Sequence, residues 1–92
     1  MGHRIELGEI EAVAGALPWI ERCCCLYDGK KNRIVLFCQT AADAGELTGK
    51  EIRSMLRTRL SAYMLPSKVH ILEAMPLNAN GKIDRQRLKE AL

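Results

Sequence analysis

Lys82 follows an Asn80-Gly81 pair, and at no other place is a single side chain better set to act on something outside the chain. Asn and Gly both accept positive φ, so the pair predicts a tight reversal that carries the next side chain outward. An ammonium there is a compact point charge on a flexible stem, suited to neutralising a carboxylate or a phosphate. Such a charge stabilises a phosphoryl or nucleotidyl transfer electrostatically, with no covalent step on the protein. A solvated turn lysine has the same local sequence, since loops commonly carry charge.

Other chemistries are less well provided for. A phosphate-binding P-loop needs an earlier glycine and a Ser or Thr after the lysine, whereas Pro76 and Ile83 occupy those places. The two histidines, His3 and His70, form no Ser/His/Asp or Cys/His set in the order of residues. Glu9 and Glu11 do not face each other on a helix. Cys23, Cys24 and Cys25 are consecutive and Cys38 stands apart, with no C-x-x-C pair. Neither a metal site nor a disulfide framework is expected, although Cys38 could approach one of the three. They read as reduced, small hydrophobic residues.

The elements that position Lys82 can be read from periodicity. The chain has 92 residues, enough for one small domain. Ile10, Val13, Ala14 and Leu17 at helical spacing predict a helix over about 8–16, ended by Pro18. Trp19 is expected to be a packing anchor. Apolar runs over 21–27 and 33–40 flank a polar, Gly-containing loop and predict a β-hairpin or a pair of adjacent strands. Their continuous apolar character calls for cover on both faces, or helices on one face with the other partly exposed.

Residues 41–47 read as a loop. Thr48 and Glu51 then form a capping box at the start of a helix expected over about 49–61. Ile52, Met55, Leu56 and Leu60 mark its buried face, and Lys50, Arg53, Arg57 and Arg59 lie mostly on others. A strand over 68–72 places Val69 and Ile71 opposite His70 and Leu72, and Asp84 caps a last helix containing Leu88 and Leu92. This order predicts an α+β domain: a small three-stranded sheet covered by helices, with the lysine-bearing turn near the C-terminus.

Charge narrows the partners. Fourteen Lys and Arg against eleven Asp and Glu give a net charge of +3, a mild basicity that does not demonstrate nucleic-acid binding. Arg53, Arg57 and Arg59 are the residues such binding would use, and no nucleic-acid partner is expected. No apolar run approaches the roughly 20 residues needed to span a bilayer, so no membrane partner is expected. The first residues lack the apolar core of a signal peptide, and a cytoplasmic location is the default.

Three blocks together carry a resemblance that no one of them could. Gly2-His3-Arg4-Ile5-Glu6-Leu7-Gly8-Glu9-Ile10-Glu11 resembles the block that opens the C-terminal subdomain of adenylate-forming enzymes. Leu60-Ser61-Ala62-Tyr63-Met64-Leu65-Pro66 resembles a later block of theirs, with Ser61 where the family usually has Pro. Pro76-Leu77-Asn78-Ala79-Asn80-Gly81-Lys82-Ile83-Asp84-Arg85 resembles the final block, which contains the adenylation lysine. The wording of the first and last is most similar to amino-acid adenylation domains of nonribosomal peptide synthetases.

The resemblance implies that residues 1–92 are a single domain, the mobile C-terminal lid of an adenylate-forming ligase. A large N-terminal subdomain, absent from this chain, would bind ATP, magnesium and the amino acid. Lys82, on the turn supported by Asn80 and Gly81, would reach the substrate carboxylate and the α-phosphate. The lid would then rotate and present Gly2, His3 and Arg4 for attack by the phosphopantetheine thiol of a carrier protein. The chain alone is expected to be inactive. A module that keeps the fold only to dock a carrier protein or partner domain is the alternative from a different class.

Overall fold

The computed structural model describes residues 6–92. Helix α1 (Leu7–Gly15) leads through Pro18 into an antiparallel pair, β1 (Ile20–Asp28) and β2 (Arg33–Thr40). After a 3-10 turn at Ala42–Ala44 come helix α2 (Gly49–Arg57), a second 3-10 turn at Ala62–Met64, and strand β3 (Lys68–Leu72). Helix α3 (Arg85–Glu90) closes the chain. The sheet has the order β1-β2-β3, with β3 parallel to β2, so α2 is the helix of the crossover between parallel neighbours.

Strand alternation divides the core in two. Cys25, Ile34, Leu36, Cys38 and Val69 point to one face and meet Ile10, Ala14 and Leu17 of the α1 segment and Ile52 and Leu56 of α2. Cys24, Leu26, Val35 and Phe37 point to the other, under Met75 and Leu88 of α3. Both faces are therefore covered, the first of the two arrangements the apolar runs allowed. Val69 and Ile71 join the first cluster while Leu72 joins the second, and His70 stacks on Phe37 at 5.2 Å between ring centroids.

The consecutive cysteines are split by the same alternation, and all four are free thiols. Burial pushes Cys25 and Cys38 up to about 12 and Cys23 up to about 11, as expected for cysteines that act as small apolar residues.

Three expectations need correction. The last helix ends at Glu90, so Leu92 lies beyond it, although it still packs on the second core cluster. The second helix ends at Arg57 rather than near residue 61. The Thr58 hydroxyl donates to the Met55 carbonyl at 2.9 Å, and the Arg59 and Leu60 amides both turn back to Leu56, so the ladder closes on itself. Leu60 still packs against the core from the following loop. Trp19 is no packing anchor: it is 46 % exposed, at a φ of 71°, beside the register shift between Ile20 and Arg22. The irregular strand entry turns its ring out of the core.

The capping box forms as the spacing predicts, with the Glu51 amide donating to Thr48 Oγ1 at 3.2 Å and the Thr48 amide to Glu51 Oε1 at 3.1 Å. Gly49 beside it has a tertiary role, because a Cβ there would collide with the Val69 carbonyl. Glycine lets the first turn of α2 lie directly on β3.

Candidate functional site: the lysine hairpin

Residues 75–85 fold into a small hairpin above the second core cluster. Leu77 and Ile83 pair as an antiparallel bridge, and the Asp84 amide donates to the Pro76 carbonyl at 2.8 Å. At the tip, the Gly81 amide donates to the Asn78 carbonyl at 3.0 Å and the Asn78 amide to the Lys82 carbonyl at 2.7 Å. Gly81 has a φ of 78°. A three-residue loop with glycine in the left-handed region is a common solution for a tight hairpin.

The organiser of this turn is Asn78 rather than Asn80. Asn78 Oδ1 accepts from the Asn80 amide at 2.9 Å and from the Lys82 amide at 3.1 Å, folding the loop around one side-chain oxygen. Gly81 adopts positive φ and Asn80 does not. Lys82 is exposed, and its ammonium forms no ion pair among the described residues.

The base of the hairpin is anchored on both sides. Before the tip, Met75 is buried and its amide donates to Gln39 Oε1 at 2.7 Å. Beyond it, Ile83 packs on the second cluster and the Asp84 side chain accepts from the Arg87 amide at 3.2 Å, capping α3 as the sequence predicts. Arg85 then forks onto Glu11 of α1, with Nη1 to Oε2 at 2.8 Å and Nη2 to Oε1 at 3.1 Å. Glu11 Oε2 also accepts from the Cys25 amide at 2.7 Å. Burial pushes the Glu11 carboxyl up, but the Arg85 guanidinium and the Cys25 amide together hold it below its ordinary value.

The model of the AMP-binding enzyme C-terminal domain matches residues 9–82, a stretch that runs from the first turn of α1 to Lys82 itself. The chain belongs to this family. Among its relatives of known sequence are nonribosomal peptide synthetases. It is 40 % identical over 91 residues to tyrocidine synthase 3 of Brevibacillus parabrevis, covering 97 % of this chain and 1 % of that protein. It is 37 % identical over 90 residues to the beta-alanyl-bioamine nonribosomal peptide synthetase ebony of Drosophila melanogaster, covering 95 % of this chain and 10 % of that protein. A fatty acyl CoA synthetase of Mycobacterium tuberculosis superposes with a TM-score of 0.78 at 31 % identity, over 98 % of this chain and 18 % of that one. The chain thus spans a small share of the proteins it resembles.

Within this AMP-binding enzyme C-terminal domain, Asn80, Gly81 and Lys82 share one turn. Gly2, His3 and Arg4 lie outside the described residues. Arg53 and Arg57 line a shallow basic concavity on α2 with Lys50, Glu51 and Ser54, and Arg53 Nε donates to the Pro66 carbonyl at 2.8 Å. That helix covers the sheet face opposite α3, so these arginines are not part of the hairpin site. His70 is held below its ordinary value by burial and by Lys68 and Arg33, consistent with a strand residue stacked on a ring. Among the described residues, no three His, Cys, Asp or Glu side chains gather as a metal site.

Sequence reasoning missed Asn78 and the pairing of Glu11 with Arg85. An Asn shortly before an Asn-Gly pair is a signal for a side-chain-braced turn. Glu11 and Arg85 lie 74 positions apart, and no local pattern links them.

Proposed function

We propose that this domain is the mobile lid of an amino-acid-adenylating ligase and that Lys82 is its catalytic residue. The supporting observation is an exposed lysine, unpaired among the described residues, at the tip of a hairpin whose backbone is fastened by Asn78 and by both flanking segments. A lysine kept only for solubility needs no such bracing. The lid would close on a large N-terminal subdomain that binds ATP and the amino acid, with magnesium held by groups outside the described residues. One substrate carboxylate oxygen attacks the α-phosphorus and pyrophosphate leaves, giving the aminoacyl adenylate. The Lys82 ammonium lies beside the carboxylate and the α-phosphate and offsets the negative charge that gathers there. Closure orients the reactants and excludes water.

In the second half-reaction the lid rotates and Lys82 withdraws. The thiol of a phosphopantetheine on a carrier protein attacks the acyl carbon, loses its proton, and releases AMP. Gly2, His3 and Arg4 are assigned to the face used in this step by resemblance of their block. The similarity to peptide synthetases, tyrocidine synthase 3 and ebony among them, supports a carrier thiol as the acceptor.

The test is Lys82→Ala in the full-length enzyme that carries this domain. ATP–pyrophosphate exchange is expected to fall by about a hundredfold or more, the scale of losing one preorganised charge. Thioester formation from preformed adenylate should persist. Unchanged exchange would refute the catalytic role and leave a docking module as the reading.

A further inference from the structure

We propose that Glu11 and Arg85 form a latch that sets the direction of Lys82, making both of them positioning residues for adenylate formation; this rests on the role proposed above for Lys82. Arg85 follows Lys82 by three positions and is the first residue of α3, so its placement fixes the exit of the hairpin. The fork onto Glu11 is bidentate, which defines orientation as well as distance. Arg85 Nη1 also donates to Cys24 Sγ at 3.2 Å. Glu11 is held in turn by the Cys25 amide of β1, an edge strand whose outward amide has no neighbouring strand to bond.

Four segments therefore meet at one ion pair: α1, β1, the start of α3 and, through it, the lysine turn. The other ion pairs among the described residues are local, Glu21 with Arg22 at 3.4 Å and Asp28 with Arg33 at 3.7 Å. Glu11 retains 18 % and Arg85 54 % of side-chain exposure, so the pair stands at the surface and its removal leaves both core clusters intact. Its removal is expected to misdirect the hairpin at only a modest cost in stability, with the fold retained. A misplacement of about 1 Å in a group that must meet a transition state can cost about a hundredfold in rate.

The experiment uses the full-length enzyme. Glu11→Gln and Arg85→Met are each expected to lower kcat of ATP–pyrophosphate exchange about tenfold or more, with KM for ATP within about twofold and thioester formation from preformed adenylate unchanged. Arg85→Lys keeps the charge without the fork and should recover only a minor part of the loss. The double variant should be no slower than the slower single, because both changes open one latch. Arg22→Gln, which removes an exposed pair elsewhere on β1 and leaves Glu21 to accept from Gln39, should leave exchange unchanged. The inference is overturned by unchanged kcat in both single variants, by equal losses in both half-reactions, by full recovery with Arg85→Lys, or by additive effects in the double variant. If Lys82→Ala leaves exchange intact, the role of Lys82 itself falls. If Lys82→Ala abolishes exchange while Glu11→Gln and Arg85→Met do not alter it, only the latch falls.

Discussion

At the residue scale, Asn78, Gly81 and Glu11 govern how well Lys82 is held. Gly81 has open space where a Cβ would project, so the cost of Gly81→Ala is purely conformational, about 1–2 kcal/mol for a left-handed residue. Thermal melts of the variant should show this loss with the sheet otherwise intact. Glu11 makes stability depend on pH. Burial raises its carboxyl, Arg85 and the Cys25 amide outweigh that, and the folded value lies below the ordinary 4.5. A lowered folded value means stabilisation that is fully present above the unfolded value and is lost as pH falls through the folded one. The melting temperature of the chain should therefore drop more steeply below pH 4.5 than that of Glu11→Gln, and parallel curves would remove Glu11 from this role.

At the element scale, α2 rests on two adjacent residues with different tasks. Thr48 satisfies the free Glu51 amide at the helix start, and Thr48→Ala is expected to cost about 1 kcal/mol. Gly49 allows close approach to β3, and Gly49→Ala must displace the Val69 backbone, at about 1–3 kcal/mol. Denaturant titrations should rank Gly49→Ala at least as destabilising as Thr48→Ala. In an isolated helix the order would reverse, because alanine propagates a helix better than glycine. The early end of α2 belongs to the same scale. Apolar spacing up to Leu60 indicates a buried residue, and Leu60 is partly buried, but its spacing cannot report that Thr58 bonds back to Met55.

At the scale of the whole molecule, the two-faced core encloses thiols that a sequence shows only as a run of cysteines. With Cys23 at about 11 and Cys25 and Cys38 at about 12, the thiolate needed for disulfide exchange is scarce near neutral pH. A disulfide reagent should react slowly with the native chain and titrate four thiols once it is unfolded. Rapid reaction of the native form would contradict this packing. The lysine hairpin is a projection from the face covered by α3, and the N-terminal subdomain proposed to meet it would come from outside the described residues. The isolated chain should accordingly give negligible ATP–pyrophosphate exchange, and addition of the N-terminal subdomain should be required to observe it.

The sequence by itself determined the element order, β2 and β3 to the residue, both helix caps and the turn that carries Lys82. Each of these depends on neighbours a few positions apart: strand alternation, the Thr48–Glu51 box, Asp84 before Arg87, and glycine at Gly81. Its three blocks also indicated the family to which the chain belongs. Tertiary structure alone decided that Glu11 answers Arg85, that Gly49 must lack a side chain, and that Trp19 lies outside the core. Those outcomes depend on which surfaces the fold brings together across long sequence separations, and no local periodicity encodes such meetings.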